Sequence, residues 1–278
     1  STVENSLDAV SSRDFILETL ANLVILNVNL SRLAEDLILW SSSNYKLIEL
    51  PDEFASTSSI MPQKKNPDVL EVIRARTSFT LADLVASVNI MKALPTGYNL
   101  DLQEITDRLW DSVDTTVSIL KMWVQLISRL KVRKDGLKQS ELSFTTSTEI
   151  ANVLFRRYKV PFRLAHKIVG ASAKYLYDRG RAFSEVNSQL LSEMAKQVTG
   201  VPLEVDDAVI RSSLDLKKFI ESHEVTGGPA PSEVRGMING RKKLVLKSKV
   251  ILLKMTRSLR LAEKMFQSAR VRLISGST

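Results

Sequence analysis

Apolar residues recur at helical spacing in this chain over stretches much longer than one ordinary helix, and this limits the possible folds more than any other feature. From Arg13 to Trp40 they fall at Ile16, Leu20, Leu23 and Val24, then at Leu30, Leu33, Leu37 and Ile38. Leu17, Ile25, Leu26 and Val28 cover further faces. Three-and-four spacing predicts a helix, capped by Ser11 or Ser12, and apolar cover nearly all round predicts burial among other helices. A second helix is expected from Pro67 through Ile73, Leu81, Leu84 and Val88 to about Ala93, where PTGYN at 95–99 breaks it. Asn66 is the expected N-cap, Pro67 suits the first helical position and Asp68 complements the helix dipole. A third helix is expected from about Leu102 to Val132, with Leu109, Val113, Val117, Leu120, Val124 and Ile127 as its buried stripe.

Punctuation agrees with long elements. Only 10 glycines and 8 prolines occur in 278 residues, so turns are few. No stretch alternates as a half-buried strand would. After Gly136 the pattern shortens, giving expected helices at about 146–158, 161–179, 184–198 and 206–221. The breaker HEVTGGPAPSEV (223–234) precedes a last basic helix from about Ser232 to Arg272. The expected architecture is all-α: a long-helix bundle over 1–135, a smaller helical domain over 136–226, and a final basic helix over 227–278 that returns to the bundle.

Several classes of function are disfavoured. There is no cysteine, which removes disulfides, thiolate nucleophiles and Cys-ligated metals. The longest uncharged stretch, Thr19–Ser31, is shorter than a membrane span and holds Asn22, Asn27 and Asn29. No segment reads as a leader peptide. The net charge of +8 gathers between Glu233 and Arg272, but Phe266 is the only aromatic there, so the basic helix reads as a solvated face. The expectation is a soluble cytoplasmic protein with no nucleic-acid and no membrane partner.

One segment carries chemistry. Residues 58–68 read SSIMPQKKNPD. Pro62 and Pro67 each fix φ and remove an N–H donor, so Gln63, Lys64, Lys65 and Asn66 are presented in a short restrained span. The helix starting at Pro67 aims its dipole back at the same place. Lysine, asparagine and a helix N-terminus together form a trap for an anionic oxygen such as a carboxylate. Ser58 and Ser59 lie just upstream on a glycine-free loop that could fold over such a ligand. The competing reading is a solvated loop that caps a helix.

SSIMPQKKNP resembles the fumarase/aspartase superfamily signature G-S-S-x-M-P-x-K-x-N-P, and PQKKNPD is most similar to its argininosuccinate lyase branch. NSLDAVSSRDF (5–15), SRLAEDLILW (31–40), YNLDLQE (98–104), VPFRLAHKIVG (160–170) and GGPAP (227–231) resemble that family in the same order. The resemblance implies β-elimination of argininosuccinate to arginine and fumarate, without cofactor or metal. It implies that Ser58 is the base at carbon, that Lys64 stabilises the dianionic carboxylate, and that Glu71 orients a catalytic histidine. Asn66, Tyr98, Gln103 and Arg13 match substrate-binding positions, with Asp14 beside Arg13. It further implies a homotetramer whose active sites are shared between subunits. Without the resemblance, Glu71 reads as a helix-dipole acid, Tyr98 and Gln103 as ordinary loop and helix-start residues, and Arg13 with Asp14 as a structural ion pair.

Three departures stand out. Thr57 replaces the signature glycine. Thr106 stands where many members carry a substrate-binding lysine, with Arg108 nearby as a substitute charge. The family's histidine-bearing upstream segment has no counterpart here, and neither His166 nor His223 has its context. The expectation is therefore a partial subunit, poorly active alone, that a separate N-terminal polypeptide could complete. Alternatives are a non-catalytic structural protein on the same scaffold and another lyase of the superfamily.

Overall fold

A computed structural model describes residues 3–57, 60, 61, 65–133 and 144–275. It is almost wholly helical, as the spacing predicts, and divides into two compact units, Ser1–Gln139 and Ser140–Thr278.

The first unit is built on three long helices. A short α1 (Ser6–Ser11) precedes α2 (Asp14–Ser41), α3 (Asp68–Met91) and α4 (Glu104–Arg129). Strand β1 (Ile48–Glu49), just after α2, pairs antiparallel with β4 (Lys131–Val132), just after α4. The C-terminal ends of α2 and α4 therefore lie together, and α3 runs back between the two ends of the bundle. A second pair, β2 (Ser56–Thr57) with β3 (Lys65–Asn66), joins the two sides of the loop ahead of α3. Cores form at both ends. Ala34, Leu37, Phe54, Leu70, Ile73 and Trp123 belong to one; Ile16, Leu20, Leu102 and Ile105 form the other.

Between them the bundle is polar. Asn27 Nδ2 on α2 donates to Thr116 Oγ1 on α4 at 2.8 Å, and more weakly to Thr80 Oγ1 on α3 at 3.4 Å. Ser112 Oγ donates to Asp83 Oδ2 at 2.8 Å, and Arg108 lies 3.5 Å from the other oxygen. Glu35 pairs with Arg74 between α2 and α3. These bonds tie α2 into a bundle, although by length and composition alone it could cross a membrane.

Local details correct the sequence reading. The α4 stripe is displaced: Ile105, Ser112, Thr116, Ile119, Trp123 and Leu126 are buried, whereas Val117, Leu120, Val124 and Ile127 are exposed. The buried face is partly polar, and its polar members bond one another. In α2, Ile25, Leu26, Val28 and Leu33 are likewise exposed, so a single copy of the chain does not surround this helix. Arg13, rather than a serine, precedes α2 and gives no side-chain cap. Pro67 occupies the N-cap of α3, because Asn66 is held in the β2–β3 pair.

The second unit packs α5 (Ser147–Tyr158), α6 (Phe162–Tyr177) and α7 (Ser188–Thr199) around Leu154, Ile168, Leu176, Phe183 and Leu191. Lys159, Gly180 and Gly200 end or separate these helices at positive φ (57°, 65° and 81°). The predicted helix at 206–221 is two, α8 (Asp207–Ser213) and α9 (Leu216–Glu221), because Asp215 accepts from the N–H groups of Lys217 and Lys218 and starts a new helix. Helix α10 (Pro231–Ser275) is continuous over 45 residues.

Candidate functional site

The predicted site residues fall into two groups at opposite ends of the bundle. Asn66 and Glu71 sit at the start of α3, and Ser58 and Lys64, which lie outside the described residues, precede them in the chain. Arg13 opens α2, and Tyr98 and Gln103 lie between α3 and α4. Helix α3 spans 24 residues, so the two ends are about 36 Å apart.

At the first end the base of the loop is well defined. Ser56 pairs with Asn66 and Thr57 with Lys65, so Thr57 lies in a strand where the signature has glycine. Lys65 Nζ reaches Glu49 at 3.1 Å and Asp52 at 2.5 Å, fastening the loop base to the segment after α2. Its hydrogen bond and charge hold the Asp52 carboxyl below the usual range, and the two acids hold the Lys65 ammonium above its own. Leu70 is fully buried, against the core that includes Phe54 and Trp123, and this seats the first turn of α3. Glu71, next along, is exposed.

At the second end, Gln103 Nε2 donates to Tyr98 Oη at 2.8 Å. Leu102, the neighbour of Gln103, is buried with Ile16 of the first turn of α2. Arg13 turns its guanidinium onto the carbonyls of Ser12 (2.8 Å) and Val10 (3.3 Å) rather than onto the Asp14 carboxylate. An open cleft of about 620 Å³ lies here, lined in part by Ser11, Ser12, Asp14, Thr96 and Asn99. Of these cleft residues the sequence singles out only Asp14 as a candidate. The hydroxyls of VSSRD and the asparagine of GYN, beside residues already singled out, were the available signal.

The remaining candidates lie apart. Thr106 is exposed, and Arg108, proposed as a substitute charge, is engaged with Asp83 inside the bundle. His166 is an exposed residue of α6, 6.4 Å from the Phe162 ring, and His223 Nδ1 lies 2.7 Å from the Phe219 carbonyl. Among the described residues no group of three or more histidine and acidic side chains could hold a metal ion.

One chain thus places its candidate residues in two groups, at a helix start on one end and beside a polar cleft on the other, on an all-helical scaffold. Comparisons with known proteins give the family of this scaffold. Residues 1–78 match the lyase family model, and residues 144–221 match that of the argininosuccinate lyase C-terminal region. The argininosuccinate lyase of Methanothermobacter thermautotrophicus is 43% identical over 244 residues, covering 87% of this chain and 52% of that protein. That of Methanococcus aeolicus is 45% identical over 240 residues, covering 86% and 48%. The chain therefore spans about half the length of the curated relatives it matches. An EDDS lyase solved with formate superposes with a TM-score of 0.83 at 28% identity, over 95% of this chain and 52% of that one. A class II fumarase from Schistosoma mansoni shares the fold at 19% identity, with a TM-score of 0.58 over 71% of this chain and 38% of its own. The chain belongs to the argininosuccinate lyase family of the fumarase/aspartase superfamily.

Proposed function

We propose that the protein carrying this chain is an argininosuccinate lyase of cytoplasmic arginine biosynthesis. It splits argininosuccinate into arginine and fumarate by β-elimination. Ser58 removes a proton from the carbon beside a carboxylate, and the electron pair spreads onto the carboxylate oxygens. The adjacent C–N bond then breaks, and its electrons leave with the guanidino nitrogen, which is protonated as arginine departs. The barrier is the transient extra negative charge, and preorganised positive groups lower it. Lys64 and the N-terminus of α3 supply that charge, and Asn66 holds the substrate.

The reading rests on the separation of the two groups of candidate residues. Asn66 and Glu71 lie at the start of α3, and Tyr98, Gln103 and Arg13 lie beyond its far end, so about 30 Å or more of helix separates the two groups in one chain, too far for one small substrate. A site using both groups draws them from different copies. This fits a homotetramer whose bundles contact through the exposed apolar stripe of α4 and the exposed faces of α2. Glu71 then orients a histidine supplied by an upstream segment, joined to this chain or carried by a separate polypeptide.

Fumarate absorbance tests the proposal. The whole protein given argininosuccinate is expected to release fumarate and arginine one to one, and Ser58→Ala is expected to lose nearly all turnover while keeping its helical circular dichroism. No fumarate, or fumarate unchanged by Ser58→Ala, contradicts it.

A further inference from the structure

Helix α10 lies outside both matched family regions, which end at residue 221. Its 45 residues span about 68 Å, yet none of its described residues joins a core. A helix of this length draws most of its stability from a packed face, so its apolar residues call for a partner.

Apolar residues occur on more than one face, but one row runs the whole helix. Ile238, Val245, Leu252, Leu259, Phe266 and Leu273 recur at intervals of seven. Val234, Met255, Ala262 and Ala269 fill alternate three-and-four positions between them, and Arg241 and Ser248 interrupt that second row. A seven-residue repeat drifts by about 20° per heptad on a straight helix, or about 100° across these six positions. A flat membrane surface cannot follow that drift, whereas a helix that supercoils around α10 can.

Charge selects the kind of helix. Between 231 and 275 there are twelve lysines and arginines against Glu233 and Glu263, while the whole chain carries only +8. Pairing two copies would set one strongly basic helix against another, and in a parallel pair Arg241 would face Arg241 within the seam. We propose that α10 is an interaction arm that docks an acidic amphipathic helix. Aliphatic side chains of the partner fill the seam, carboxylates flank it, and one carboxylate lies opposite Arg241. The assignment does not depend on the lyase activity.

The test uses the purified protein and a synthetic helical peptide with leucine on its seam and glutamate at the flanking positions, followed by fluorescence anisotropy. Saturable binding is expected, weakening about tenfold from low to high salt. It should fall at least about tenfold in the Leu252→Glu/Leu259→Glu variant. These two side chains are 63% and 71% exposed, so the variant keeps its circular dichroism. The proposal is overturned if the acidic peptide does not bind or if a lysine-flanked peptide binds equally. It also fails if the double variant's main effect is to dissociate copies of the protein, or if phosphatidylserine vesicles or duplex DNA bind more tightly than the peptide.

Discussion

Asn27 of α2 donates through Nδ2 to Thr116 Oγ1 of α4 at 2.8 Å, joining residues 89 positions apart in the buried middle of the bundle. Both are almost wholly buried, and Thr116 Oγ1 in turn donates to the Ser112 carbonyl at 2.7 Å. Removing Asn27 takes from Thr116 Oγ1 its buried donor, and removing the Thr116 hydroxyl leaves Asn27 Nδ2 only the weak 3.4 Å contact to Thr80. Asn27→Ala is therefore expected to destabilise the protein by about 1–3 kcal/mol in urea unfolding. In a double-mutant cycle with Thr116→Val the two losses should be less than additive. Full additivity would show that the bond does not couple the helices.

Phe183 anchors the second unit. It is fully buried, 5.5 Å from the Phe144 ring between centroids, among residues of α5, α6 and α7. Phe183→Ala is expected to cost about 3–5 kcal/mol by lost burial and a cavity. Thermal unfolding of the second unit should fall accordingly, and a change below about 1 kcal/mol would contradict the packing.

The length and order of the helices could be read from the sequence because apolar spacing and scarce glycine act locally. The buried face of α4 could not. Apolar spacing selects Val117, Leu120, Val124 and Ile127, but the bundle buries Ser112 and Thr116, which are polar yet bonded to Asp83 and Asn27. Hydropathy does not register a satisfied pair. Asn66 looked like a helix cap because its partner, Ser56, lies ten residues earlier across a strand pair. The candidate residues could be picked out through the signature loop and its companion segments. The expected span of α3 already separates Asn66 and Glu71 from Tyr98 and Gln103; the placing of Arg13 at the Tyr98 end could not be read, because it depends on how α2 packs against α3.

The exposed α4 stripe leads to a prediction about assembly. Val124 is 68% exposed in one copy and contributes nothing to that copy's core. Val124→Asp should leave the helical signal intact but shift sedimentation toward smaller species. An unchanged mass would remove this stripe from the subunit interface.

The Asp52–Lys65 pair makes a pH prediction. The Lys65 hydrogen bond, followed by its charge, lowers the folded pKa of Asp52 below the ordinary value of about 3.9. Its stabilising effect is therefore present above that value and is lost as pH falls through the lower folded pKa. Lys65 is the converse: its pKa is raised, so its contribution holds at neutral pH and disappears only as pH rises through the folded value. In a carboxyl NMR titration the Asp52 midpoint should rise in Lys65→Met. An unmoved midpoint would mean that the contact does not persist in solution.

Subunit mixing tests the shared site most directly. Glu71→Gln and Tyr98→Phe alter opposite ends of the bundle, and each alone is expected to lower fumarate production from argininosuccinate severely. Co-expressed in one cell and purified as mixed oligomers, the two variants are expected to recover turnover well above either alone, because some sites then draw both ends from unaltered copies. Mixed oligomers no more active than the single variants would contradict a site built across subunits.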